Sequence, residues 1–295
     1  MGKRLLLFLA TNILVILTIN IVLTLLGVGR YLTGSGLDYT QLLIFCSIWG
    51  MVGSFISLSI SKFMAKKAMG VKIIDAMTSN QTERFLLDAV HSMARQAGLQ
   101  TMPEVGYYQS NDLNAFATGP SRNNSLVAVS TGLMQSMNEQ QVRGVLGHEV
   151  AHIANGDMVT MTLIQGVVNA FTMFLARVVS YSLIVLDRDE GEGGFSVMGY
   201  YLLTIVFDII FSILGSIIVA YFSRIREFKA DKGGAQLAGT SNMIAALEGL
   251  GRQVAGNETR GKELATLMIN RGGFLSLFST HPSLESRIAK LKGLV

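Results

Sequence analysis

Val145-Leu146-Gly147-His148-Glu149-Val150-Ala151-His152 decides how this chain is read. Its core is H-E-x-x-H, two imidazoles four residues apart with a carboxylate beside the first. On an α-helix, positions i and i+4 lie on one face, so His148 and His152 can point at a single metal ion. Glu149 sits just off that face, where a carboxylate can take a proton from a metal-activated water. The plain alternative is an ordinary helix that happens to carry two histidines. With only four histidines in 295 residues the string is not a by-product of composition. It predicts a zinc hydrolase site.

Working outward, the residues before the motif have the texture of a soluble α+β unit from about Lys72 to Asp157. Asn138 opens the motif helix, with Gln141 three residues on as its capping-box partner. Upstream, Glu104 to Gln109, Ala115 to Thr118 and Leu126 to Ser130 are short strand-like runs separated by Asn/Asp and Gly-Pro-Ser turns. Gln81 to Ala97 places Phe85, Leu86, Ala89, Val90, Met93, Ala94 and Ala97 on a helical face, and Gly98 follows as a helix-ending glycine. His91, on that helix, is read as structural.

The rest of the chain is apolar in long blocks. Leu5 to Gly29 and Tyr39 to Ser61 are uncharged runs of 25 and 23 residues, each long enough to cross a bilayer. Lys3 and Arg4 precede the first, and Lys62, Lys66, Lys67 and Lys72 follow the second. The positive-inside rule therefore puts the N-terminus and everything after Ser61 in the cytoplasm. The first run is too long for a signal peptide and lacks a convincing cleavage site. A third block, Met158 to Leu186, and a fourth, Phe195 to Ser223, flank the acidic loop Asp187 to Glu192. Arg224, Arg226, Lys229 and Lys232 come next, so this hairpin also faces outward. Each block holds one charge, Arg177 and Asp208, at similar distance from the loop. These are expected to pair, because an unpaired charge in a membrane is costly. The alternative is a hairpin packed partly outside the lipid.

A catalytic zinc keeps three protein ligands and an open position, so one ligand is missing from the motif. Ser223-Arg224-Ile225-Arg226-Glu227-Phe228-Lys229-Ala230-Asp231 offers it. Glu227 and Asp231 are one turn apart on one face. Glu227 is assigned as the third ligand and Asp231 as the carboxylate that accepts a proton from a ligand imidazole; an exposed charged helix is the alternative. The developing oxyanion needs a further donor. His281 and Arg287, in His281-Pro282-Ser283-Leu284-Glu285-Ser286-Arg287, are the candidates, and the sequence does not choose between them.

Composition agrees with a membrane enzyme. Half of the residues are hydrophobic and only 15% charged, against roughly 25% in soluble proteins. The net charge of +4 is spread around the apolar blocks with no basic stripe or interleaved aromatics, which argues against nucleic-acid binding. A single cysteine, Cys46, excludes an intrachain disulfide and a cysteine-based zinc site.

Taken together, these blocks resemble the HtpX family of membrane-integrated zinc metalloproteases, related to the prenyl-protein endopeptidases. The pieces that carry the resemblance are Asn114-Ala115-Phe116-Ala117-Thr118-Gly119, Gly147 to His152 with Asn155-Gly156-Asp157 behind it, Glu227-Phe228-Lys229-Ala230-Asp231, and His281-Pro282 with Arg287. The family usually has tyrosine where this chain has Phe228. The resemblance implies one zinc held by His148, His152 and Glu227, with Glu149 as general base. It implies that Asn114, Ala115, Phe116 and Ala117 belong to an edge strand that binds extended substrate through its backbone. It further implies polypeptide substrates, chiefly misfolded or damaged membrane proteins, a role in the stress response, self-cleavage, and a bacterial inner membrane with the catalytic domain in the cytoplasm.

The expected architecture is mostly α with a small β-sheet, a gluzincin-like metalloprotease domain attached to a bundle of four transmembrane spans. Residues 1–61 would hold two spans, 62–157 the first part of the zincin domain, 158–223 a hydrophobic helical hairpin, and 224–295 the second part with the third ligand. Two other functions compete. A site-2-type intramembrane protease would bury H-E-x-x-H in an apolar span, yet this motif helix begins with Asn138, Glu139, Gln140, Gln141 and Arg143. A non-catalytic zinc-binding scaffold would leave Glu149 without a task.

Overall fold

The computed structural model describes residues 2–28, 31–33, 36–189, 197–258 and 277–293. In chain order these form α1 (Gly2–Leu25), β1 (Leu32–Thr33), β2 (Gly36–Leu37), α2 (Tyr39–Met69), β3 (Lys72–Ile73), α3 (Gln81–Gln96), β4 (Glu104–Tyr108), β5 (Ala115–Ser121) and β6 (Asn124–Ser130). They continue as α4 (Thr131–Ser136), α5 (Glu139–Asn155), α6 (Asp157–Asp189), α7 (Val197–Ala238), α8 (Thr240–Glu258) and α9 (Leu284–Lys292). The protein is mostly helical with a small sheet. It divides into two compact units, Met1–Ser57 with Met161–Val219, and Leu58–Thr160 with Ala220–Val295.

In the first unit the apolar blocks are helices. Among the described residues, α2, α6 and α7 are each long and apolar enough to cross a membrane, and the Ile13–Leu25 part of α1 is a shorter apolar helix. Close helix approach rests on small residues, as is usual between membrane helices. A Cβ on Gly50 would stand 2.6 Å from the backbone nitrogen of Ala170, and one on Gly215 2.7 Å from Val168. The two isolated charges meet: Arg177 Nη1 is 3.5 Å from Asp208 Oδ1, and the guanidinium also lies over the Phe45 ring.

The helices outrun the uncharged blocks. α2 continues through Lys62, Lys66 and Lys67, and α7 runs without a break past Ser223 to Ala238. Lysine and arginine are good helix formers, so a change of polarity alone does not end a helix. The first three residues of the acidic loop, Asp187 to Asp189, finish α6; residues 190–192 and the start of the fourth block lie outside the described residues.

The second unit packs helices on a four-stranded sheet of order β3-β4-β6-β5, in which β4 and β6 are parallel and the outer pairs antiparallel. β6 is buried along Ser125–Ser130 because it is central. β5 is an edge. Leu86, Val90 and Met93 of α3, Val127 and Val129 of β6, and Leu146, Val150 and Ile153 of α5 form the core. Asn80 caps α3 by accepting from Thr82 and Glu83 N–H, and Gly98 (φ 73°) ends it in the left-handed conformation that glycine adopts freely. His91 has the structural place expected of it, its Nε2 3.1 Å from the Pro103 carbonyl.

Candidate metal centre

α5 begins with the expected capping box: Asn138 Oδ1 accepts from Gln141 N–H at 3.0 Å, and Gln141 Oε1 accepts from Asn138 N–H at 3.1 Å. Two glycines let other helices lie directly on it. Added Cβ atoms on Gly144 and Gly147 would stand 2.8 Å from Ala246 of α8 and Ala238 of α7 respectively. That approach brings α7 across the motif, with Glu227 only 1% exposed.

The three proposed ligands converge. Nε2 of His148 and Nε2 of His152 are 3.0 Å apart. Glu227 Oε2 is 3.4 Å from the first and Oε1 is 3.3 Å from the second. A tetrahedral zinc with bonds of about 2.0–2.1 Å separates its ligand atoms by about 3.3–3.4 Å; the two glutamate contacts match that spacing, and the imidazole pair is slightly closer. Glu227 Oε2 is buried without a well-aligned hydrogen bond, although His281 Nδ1 lies 2.9 Å away. A buried carboxylate oxygen left this way is what a cation would satisfy.

Each ligand ring is held from behind. His148 Nδ1 is 2.9 Å from Asp231 Oδ1, and His152 Nδ1 is 2.6 Å from Asp157 Oδ2. Carboxylates on Nδ1 fix the tautomer that turns Nε2 towards a metal. Asp231 is gripped in turn by Arg287 of α9, which donates from Nε at 2.7 Å and Nη2 at 2.6 Å. Such a fork matches a carboxylate edge to edge. Glu149, half-buried, follows His148 on α5, and its charge acts on both rings.

Burial by itself would strip protons from the rings, yet Asp231 and Glu227 outweigh it and raise His148 to about 9. His152 is raised too, against its burial, by Asp157 and Glu227. Burial would likewise raise Glu227 and Asp231, but the histidines hold the first well below the carboxylate range, and Arg287 and His148 hold the second low. Four carboxylates, Glu149, Asp157, Glu227 and Asp231, surround the two motif imidazoles and the buried Arg287 guanidinium, with His281 and Arg226 also beside Glu227. A field that holds protons on the rings also favours a divalent cation in their place. His148, His152 and Glu227 therefore fit a metal.

The remaining predicted residues fall as follows. Asn114 immediately precedes β5, where its carbonyl accepts from Ser130 N–H at 2.9 Å. Ala115, Phe116 and Ala117 lie on β5, which packs against α5. Residues in step with Asn114 turn their backbone groups to β6, so Ala115 and Ala117 leave theirs on the free edge. Of the two oxyanion candidates, Arg287 is buried with its fork on Asp231, whereas the His281 side chain is 63% exposed beside Glu227. Asp157 stands in the block Asn155-Gly156-Asp157 behind the motif, but the sequence assigns it no chemical task. Its signal was Gly156, whose left-handed φ of 70° turns the chain at the end of α5 and returns the fifth residue after His152 to that ring.

An H-E-x-x-H helix facing a glutamate on a second helix, joined to apolar helices, defines a membrane-integrated metallopeptidase. Residues 80–295 match the model of peptidase family M48. Over 99% of both chains the sequence is 51% identical to a protease HtpX homolog of Bacillus licheniformis and 53% identical to protease HtpX of Thioalkalivibrio sulfidiphilus. The chain belongs to peptidase family M48, in its HtpX branch. The crystal structure of S. mikatae Ste24p shares the fold, with a TM-score of 0.60 at 17% identity over 99% of this chain and 66% of that longer one.

Proposed function

We propose that this protein is a zinc endopeptidase of a bacterial inner membrane, with its catalytic residues in the cytoplasm, and that it hydrolyses misfolded or damaged membrane proteins. Self-cleavage on membrane disruption belongs to the same reading. The observation that carries it is the buried triangle of two imidazole Nε2 atoms 3.0 Å apart and a glutamate whose two oxygens reach one ring each. Residues 1–61 and 158–223 anchor it, and 62–157 with 224–295 form the catalytic domain.

In this reading one zinc is held by His148, His152 and Glu227, and when bound it supplies the Lewis acidity that makes a water nucleophilic near neutral pH. Glu149 takes the proton from that water and gives it to the leaving amine. An extended substrate adds to the free edge of β5 through the backbone of Ala115 and Ala117, which reads chain conformation more than side chains. His281, exposed beside Glu227, donates to the developing oxyanion. Arg287 acts through Asp231, holding the carboxylate that orients His148.

Among the described residues the group has three donor residues, one fewer than a closed structural zinc site uses, and the polar start of α5 and its packing in the core of the second unit disfavour an intramembrane protease. The test is purification in detergent of the wild type and Glu149→Gln. Both should hold one zinc per chain, and the variant should lose about 10²–10⁴-fold in cleavage of an unfolded protein. A chelator should abolish wild-type cleavage and added zinc restore it. Full activity in Glu149→Gln would end the proposal.

A further inference from the structure

His281 sits on a loop with no secondary structure of its own between Ser279 and Ser283. Its ring nevertheless stands 2.9 Å from Glu227 Oε2. Something must fix that loop, because a donor that wanders by an ångström loses most of its value to the reaction. The fixing group is on α7, one turn before the ligand. Arg224 Nη1 donates to two loop carbonyls, Leu277 O at 3.1 Å and Ser279 O at 2.7 Å. Ser279 Oγ then donates to the carbonyl of His281 at 2.7 Å, closing the turn around the histidine.

We infer that Arg224 is a positioning residue for His281, a guanidinium clamp that fixes the loop to the same helix that carries Glu227. The sequence offers a simpler task for Arg224, a basic flank of an apolar block, but a topogenic charge has no need of two carbonyl partners. Helix spacing supports the clamp: Arg224 and Glu227 are at i and i+3, on neighbouring positions of one face. The loop anchor and the metal ligand therefore move as one body, and the histidine keeps its place relative to the carboxylate. Both contacts are hydrogen bonds from a charged donor, the stronger kind. Arg226, by contrast, reaches Glu227 Oε1 itself at 3.4 Å.

The inference rests on the proposed role of His281, and a double-mutant cycle separates the two. His281→Ala, Arg224→Ala, the double variant and Arg224→Lys are purified in detergent, and zinc content, kcat and KM on an unfolded protein are measured. The expected result is that Arg224→Ala keeps zinc and KM while kcat falls about 10- to 100-fold. The same loss should be almost absent when Ala already replaces His281. Arg224→Lys, which keeps a charged donor on a shorter stem, should regain part of kcat. Unchanged kcat in Arg224→Ala, or losses that simply add in the double variant, would overturn the clamp. Unchanged kcat in His281→Ala would instead remove the role of His281, and the clamp with it. If Arg224→Ala fails to fold, Arg224→Lys carries the same cycle with a smaller expected loss.

Discussion

Asp157→Ala tests how much of the metal's grip comes from behind the ligands. The Asp157 carboxylate is buried and 2.6 Å from His152 Nδ1, a short, charge-assisted hydrogen bond. Hydrogen bonds to charged groups contribute about 1.5–3 kcal/mol. Loss of a carboxylate behind a ligand histidine weakens metal binding by about 10- to 100-fold, which is about 1.4–2.7 kcal/mol, so the two magnitudes agree. Asp157→Asn keeps an acceptor oxygen for the same N–H, and a neutral bond is worth about 0.5–1.5 kcal/mol. It should therefore lose about tenfold or less. Asp157 also opens α6, where a negative charge adds about 0.3–1 kcal/mol to helix stability, so folding must be monitored separately. The assay is zinc retained against a graded series of chelator concentrations, with thermal unfolding of the metal-free protein alongside. The expected order of affinity is wild type, then Asp157→Asn, then Asp157→Ala. An alanine variant that folds and holds zinc as tightly as wild type would refute the reasoning, because His152 would then need nothing to orient it.

Other outcomes follow from features outside the ligand set. A Cβ on Gly234 would stand 2.9 Å from His148 N, against backbone that cannot yield; Gly234→Ala should cost about 1–3 kcal/mol by overpacking and lower zinc stoichiometry as α7 is pushed off α5. Glu104 lies between Lys62 (3.1 Å) and Lys66. Burial would raise its carboxyl, but the two ammonium groups outweigh it and hold it below the ordinary value. That contribution is present above the ordinary carboxylate range and lost as pH falls through the depressed value. Wild type should be more stable than Glu104→Gln at pH 7, with the gap closing below about pH 4 and shrinking in high salt. Arg177→Asp should destabilise the first unit by setting two carboxylates against each other, and adding Asp208→Arg should restore accumulation; failure of the swap would show that the 3.5 Å contact is incidental.

Much of this was legible because the pattern of residues was periodic or local. His148 and His152 at i, i+4 needed only a helix to meet, and the Asn138 and Gln141 caps announced that helix. Arg177 and Asp208 could be matched by counting from the loop between them. Glu227 was harder to see, since nothing in Arg224 to Asp231 says which helix it crosses; that depends on Gly144 and Gly147 being small enough to admit α8 and α7. Asp157 escaped because its partner is brought back by a backbone reversal at Gly156, not by helical spacing. The apolar block ends at Ser223 but α7 continues to Ala238, because hydropathy and helix propensity are set by different properties of the same residues. Arg224 read as a topological flank because hydrogen bonds to backbone carbonyls leave no trace in side-chain pattern.

Gly156 is the whole of the connection between α5 and α6. Six residues take the chain from His152 to Met158, where its apolar stretch begins, and even fully drawn out they reach only about 20 Å. His152 is thus tethered to the apolar helix α6 by a short run of backbone. Under the proposed role on membrane proteins, cleavage is expected close to where a substrate chain leaves the lipid and less often at a distant loop tip. Fragment ends mapped from any cleaved membrane protein should crowd beside its spans.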